Sequence, residues 1–163
     1  MMYTSDAIAA YFLSHDDWDM FCGYFENTID RTNTFLQLAQ NLYVTDFGKL
    51  LFSPDIYAEE KGVVCNGVEE HYDSLFSDIF MLPEHITQED RTWLERFIDV
   101  FRCMPTEELR LLSEEDPARL ARMEHKTEPL DPLAHREAFE AMYRPYLDAM
   151  EKVDLEVAAH RPW

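Results

Sequence analysis

Basic residues are scarce in this chain: 14 Lys and Arg stand against 33 Asp and Glu in 163 residues, for a formal net charge of -19. A nucleic-acid binder needs cations to displace counterions from phosphates, so this surface repels a nucleic-acid backbone and an anionic membrane alike. Glycine is equally sparse, at four residues, which leaves little material for a glycine-rich phosphate cradle. Cys22, Cys65 and Cys103 are widely spaced with no CxxC pair. An odd, scattered set argues against a disulfide framework and fits a reduced, cytoplasmic compartment. No apolar run approaches the roughly 18 residues of a membrane span, and Met1–Asp6 lacks the basic and apolar regions of a signal peptide. Nucleophile elbows and paired catalytic carboxylate motifs are also missing. The expectation is a non-enzyme with no cofactor and no metal.

What is present is a core. Hydrophobic residues make up 47% and aromatics 13% of the chain, whereas disordered chains combine high net charge with few aromatics. The length suits one domain able to bury most of its apolar surface. The expected molecule is an apolar interior under a negative skin. That skin has two readings: plain solubility, or complementarity to a basic protein partner.

Helical periodicity dominates. Thr4 or Ser5 caps a first helix through Leu13, with Ile8, Ala9, Tyr11 and Phe12 on one face. His15-Asp16-Asp17 interrupts it before a turn carrying Trp18, Phe21 and Cys22. A long helix follows from Asn27 or Thr28 to Asp46, with Phe35, Leu38, Ala39, Leu42 and Tyr43 at three-four spacing and Gly48 as a left-handed C-cap. The texture then changes. Leu50–Phe52, Asp55–Ala58 and Gly62–Cys65 are short extended pieces around turns at Ser53-Pro54 and Gly62, and form the expected hairpin or short sheet near residues 50–65. A helix resumes at Val68 through Tyr72, Leu75, Phe76 and Ile79, closed by Leu82-Pro83.

Thr87-Gln88-Glu89-Asp90 has capping-box spacing and opens a helix with Trp93, Leu94, Phe97, Ile98 and Phe101. Pro105 stops it, and Thr106 opens a shorter helix through Leu112. Asp116-Pro117 and Asp131-Pro132 read as N-cap plus first-turn proline. The last helix is expected to begin at Pro132 and to be kinked or split by Pro145. The fold class is therefore mainly α: a single compact helical domain with a small sheet.

Several of these stretches, in order, resemble the SocA-like (Panacea, phage-associated GepA-like) antitoxin family. Tyr3–Leu13 is similar to its opening helix, ending in Ala10-Tyr11-Phe12-Leu13. Phe35–Gln40 with Gly48-Lys49-Leu50-Leu51-Phe52 resembles "K-L-L-Y-F-A-Q … G-K-P-L-F". Ile56–Val64 resembles "I-E-A-W-K-Y-G-P-V", with Tyr72 as the tyrosine of the following helix. Glu107–Pro117 resembles the late "W-x-L-S-x-L-T-H-x-E-D-P-W". Glu59 stands where that family has Trp, and Val63 where it has Pro. The resemblance implies a helical domain over residues 1–147, with 148–163 as a C-terminal helix end and tail. It also implies an antitoxin that neutralises a toxin by direct binding.

Three constellations invite a metal reading. His15-Asp16-Asp17 with Asp19 reads better as an acidic helix cap. Glu69-Glu70-His71 with Asp73, and His85 further on, forms neither His-x₃-His nor HExxH, and reads as a solvated helix face. The three cysteines sit beside large apolar residues and read as small buried hydrophobes. Acidic pairs are the commonest polar theme, at Glu59-Glu60, Glu69-Glu70, Glu107-Glu108 and Glu114-Glu115-Asp116. Two functions remain. One is antitoxin-like binding of a toxin through Tyr57, Glu59, Glu60, Lys61, Gly62, Glu69, Glu70 and Tyr72. The other is a phage-encoded acidic inhibitor, an anti-CRISPR or other DNA mimic, directed at a basic nuclease. Tyr57, Tyr72 and Trp163 suit interface anchors where they are exposed.

Overall fold

A computed structural model describes residues 2–15, 28–71 and 85–159. In chain order these form α1 (Ser5–Leu13), α2 (Thr28–Phe47), β1 (Ile56–Ala58) and β2 (Val63–Cys65). Residues 66–71 are helical (α3). Then come α4 (Gln88–Phe101), α5 (Thr106–Glu114), α6 (Pro117–Leu120), a 3-10 turn (Pro132–His135), α7 (Arg136–Glu151) and α8 (Leu155–Ala159). The fold is mainly α with one small antiparallel two-stranded sheet, as the periodicity predicts. No helix among the described residues is long and apolar enough to cross a membrane.

Local chemistry accounts for the helix ends. Thr4 caps α1 by accepting from the Ala7 N–H at 3.2 Å, and Thr87 caps α4 by accepting from the Asp90 N–H at 3.2 Å. Gly48 ends α2 with φ +72°, and its N–H donates to the Val44 carbonyl oxygen at 2.8 Å. The Thr87 box is only half closed. The Asp90 carboxylate does not turn back to its own helix start but accepts from the hydroxyls of Tyr3 and Tyr43, at 2.7 and 2.8 Å.

α2 is the axis of the fold and packs against α1, α5, α7, β2 and the 3-10 turn. Residues 31–45 are buried on every side. Its apolar face joins a ring cluster centred on Phe97, which has Phe12, Phe35 and Trp93 each 5.9 Å away and Phe101 at 4.6 Å, centroid to centroid. Burying each such ring contributes about 2 kcal/mol or more, against about 1 kcal/mol net for a hydrogen bond. The rings therefore supply the stability. The polar side chains of α2 decide which loops dock where.

Gln40 shows how. Its side-chain oxygen accepts from the N–H groups of Leu51 and Phe52, at 2.8 and 3.3 Å, and its amide donates to the Phe52 carbonyl oxygen at 2.7 Å. On the other side, Tyr3 N–H donates to the Leu51 carbonyl oxygen and Ser53 N–H to that of Tyr3, forming a single parallel bridge. The extended stretch Leu50–Phe52 is thus held by one bridge and one amide rather than by a strand.

The C-terminal third departs from expectation at two points. Asp131 makes no capping bond and opens a 3-10 turn, so α7 starts at Arg136 rather than at Pro132. Pro145 neither splits nor ends α7; it lies on the exposed side with Ala141, where water replaces the bond proline removes. α7 ends at Glu151 with Met150 in the core, and α8 follows. Arg96 fastens this end by donating to the carbonyl oxygens of Met150, Glu151 and Val153.

Candidate protein-binding face

β1 and β2 pair in the register Ile56 with Cys65, Tyr57 with Val64 and Ala58 with Val63. Glu59, Glu60, Lys61 and Gly62 form the connecting turn, closed by the Glu59 N–H donating to the Gly62 carbonyl oxygen at 3.1 Å. Gly62 has φ +80°, a conformation that a side chain disfavours. Glu59, Glu60 and Lys61 point to solvent.

Beneath this exposed turn sits a buried arginine. Arg119, 4% exposed, donates to the carbonyl oxygens of Gly62 (2.7 Å), Glu59 (2.7 Å), Glu60 (2.8 Å) and Glu114 (2.8 Å). A planar guanidinium offers several donors in fixed directions, so one side chain satisfies a whole turn of carbonyls. Arg119 is itself positioned from the core. It lies on α6, whose N-cap Asp116 accepts from the Ala118 N–H at 2.8 Å. The second Asp116 oxygen accepts from the amides of Gln37 and Asn41 on α2, both at 2.8 Å. Burial pushes the Asp116 carboxyl above the ordinary aspartate range, opposed by those same donors. Gln37 also donates to the Ser113 carbonyl oxygen and accepts from the Ser113 hydroxyl, fixing the end of α5. Positioning thus runs from α2 through Asp116 to Arg119 and out to the turn.

The turn forms one wall of an open groove of about 510 Å³. Glu59, Lys61 and Gly62 face Asp30 and Thr34 of α2 and Arg110 and Glu114 of α5. Both charge signs line it.

Of the residues singled out in sequence, Glu59, Lys61 and Gly62 line this groove, and Glu60 is exposed on the same turn. Tyr57 is half-buried on β1 and is not part of the groove wall. Glu69 and Glu70 are exposed on α3, away from the groove wall; Glu69 accepts from the Asn33 amide at 3.2 Å. Tyr72 lies outside the described residues, as do Trp18, Cys22, Asp73 and Trp163. The acidic run Glu114-Glu115-Asp116 divides: its glutamates are exposed, while Asp116 is fully buried. Asp30, Thr34, Arg110 and Arg119 escaped sequence reading because nothing in their neighbourhood marks them. The Asp116-Pro117 cap is the one local signal that places Arg119 on a helix.

Other constellations have structural duties. His15 Nε2 lies 2.9 Å from Glu95 Oε1, which also accepts from the Tyr11 hydroxyl, tying the end of α1 to α4. Cys65 is buried, and its thiol is pushed up to about 12, chiefly by burial. Cys103 is exposed, contrary to the buried reading, because it follows the last turn of α4. Among the described residues, no three His, Cys, Asp or Glu side chains gather as metal donors. The chain matches no family model, no curated protein and no solved structure.

Proposed function

We propose that this protein acts by binding another protein through the Glu59–Gly62 turn and the groove beside it, as an antitoxin neutralises its toxin by direct contact. One observation carries the reading: a buried guanidinium rigidifies an exposed, charged turn. A turn held in one conformation loses little entropy when a partner docks, so its exposed side chains act as a pre-organised contact. The ordered resemblance over residues 3–147 adds the antitoxin character. A net charge of -19 favours a basic partner through faster, selective association. The test is co-expression with the adjacent gene. Expected results are toxicity of that gene alone, rescue by this protein, and weakened rescue by Glu59→Lys with Glu60→Lys. A harmless neighbour, or full rescue by the charge-reversed variant, sinks the proposal.

A second reading is an acidic inhibitor of a nucleic-acid-handling protein. The observation favouring it is the convergence at Arg119 of Glu59, Glu60 and Glu114, which puts two of the acidic clusters side by side. This reading expects salt-sensitive binding to a basic nuclease and competition with DNA. Affinity indifferent to ionic strength rules it out.

A further inference from the structure

Three of the exposed large apolar side chains come from distant parts of the chain yet line one depression. Met2, Phe47 and Leu133 are 50%, 41% and 44% exposed, and all border a groove of about 470 Å³. They belong to the N-terminal arm, the end of α2 and the 3-10 turn. Apolar residues scattered singly over a surface are ordinary, and these three are not scattered but meet at one groove.

The floor is rigid. Tyr43 packs on Phe47 with ring centroids 4.6 Å apart and on Trp93 at 5.1 Å. Its hydroxyl and that of Tyr3 take both oxygens of Asp90, at 2.8 and 2.7 Å. Two exposed carboxylates lie at or beside this floor: Glu89 lines the groove, and Asp46, next to Phe47 in the chain, accepts from the Trp93 indole N–H at 3.0 Å. Lys49 lines the groove as well, while Arg136 is engaged with the end of α2, donating to the Thr45 carbonyl oxygen at 3.4 Å.

We propose that this groove docks one segment of a protein partner, an apolar side chain flanked by lysine or arginine. The apolar residue fills the space between Met2, Phe47 and Leu133, and the flanking cations meet Glu89 and Asp46. Charge decides against a second copy of the chain: pairing two molecules at -19 each sets like charges around the same contact. The groove shares no lining residue with that at Glu59–Gly62. The proposal rests on the reading that the protein works by binding another protein, but its test uses no toxin, so failed rescue and failed docking are separate results.

The probe is a pair of fluorescent peptides, one with two leucines between lysine pairs and one with serines in their place, titrated into the full chain. The leucine peptide is expected to bind about tenfold tighter, the equivalent of roughly one buried apolar side chain. The double variant Met2→Ser, Leu133→Ser is expected to bring the ratio to within about twofold while keeping the parental circular dichroism spectrum. Equal affinity of the two peptides for the parent overturns the proposal whatever the variant does. An unchanged ratio in the folded variant also overturns it. A concentration-dependent dimer in sedimentation that Leu133→Ser abolishes assigns the groove to a second copy instead.

Discussion

Arg119 Nε donates to the carbonyl oxygen of Gly62 at 2.7 Å, joining positions 57 apart in the chain. The same guanidinium holds Glu59, Glu60 and Glu114, so the most exposed turn of the sheet depends on one of the most buried cations. Replacing it tests whether the turn is built from beneath. Arg119→Met is expected to cost about 3 kcal/mol, since several charge-assisted bonds are lost while water reaches part of the freed turn. Arg119→Lys recovers less than half, because an ammonium cannot span the fork. Urea midpoints give the stability, and amide exchange at residues 59–63 gives the local effect. A lysine variant as stable and as protected as the parent contradicts this account.

Gly67 and Gly62 differ in kind. A Cβ on Gly67 meets Asp6 Oδ1 at 2.0 Å, Ser5 Oγ at 2.7 Å and Asp55 Oδ2 at 2.9 Å, whereas one on Gly62 meets nothing closer than Ser113 Oγ at 3.7 Å. Gly67→Ala must displace the Asp6 carboxylate and disturb Asp55, which accepts from the Ser5 hydroxyl and from the residue 67 N–H, and is expected to cost about 2 kcal/mol. Gly62→Ala bears only the strain of its positive φ, about 1 kcal/mol. Thermal unfolding of the two variants should rank them in that order.

Asp116→Ala strands the Gln37 and Asn41 amides inside the core, an expected loss of about 3 kcal/mol. Asp116→Asn keeps the shape and one acceptor and is expected to be milder. The spread between the two variants in denaturant unfolding checks the assignment. Equal stability of both with the parent removes Asp116 from its place between α2 and α6.

Glu95 sets a pH dependence of definite sign. Burial raises its pKa, but the hydrogen bond and charge of His15 and the Tyr11 hydroxyl outweigh that, leaving the carboxyl below the ordinary glutamate range. A depressed folded-state pKa contributes stability above the unfolded value, which is lost as pH falls through the folded one. The stability gap between parent and Glu95→Gln should therefore narrow on acidification below the ordinary glutamate pKa. A gap that widens with acid contradicts the arrangement.

Helix termini were legible because capping is local. Thr4, Thr87 and Asp116 each accept from a backbone N–H two or three residues onward, so the signal and the structure occupy the same few residues. The 3-10 start at Pro132 was not legible, since a cap-plus-proline pair fixes where a helical turn begins but not its winding. That α7 is not split at Pro145 has a related reason: a proline's effect depends on whether water reaches the bond it breaks, and burial is a tertiary property.

The candidate site was half legible. Glu59, Lys61 and Gly62 lie in the Ile56–Val64 stretch that carries the family resemblance, and Gly62 marks its turn. Glu69 and Glu70 form an acidic pair in the sequence, and the fold places them on α3, outside the groove wall.

By itself the sequence determined the helical class, most helix ends, the left-handed cap at Gly48, the turn at Gly62 and the short hairpin, all governed by contacts within about one helical turn or one strand pair. Only the tertiary structure decided that Asn33, Gln37, Gln40 and Asn41 face inward, that Asp116 is a core acceptor, and that Met2, Phe47 and Leu133 share a groove. The physical reason is the reach of the bonds. Asn41 meets Asp116 and Tyr143 across 75 and 102 positions, and polar periodicity along α2 looks the same whether an amide ends in water or on a buried carboxylate.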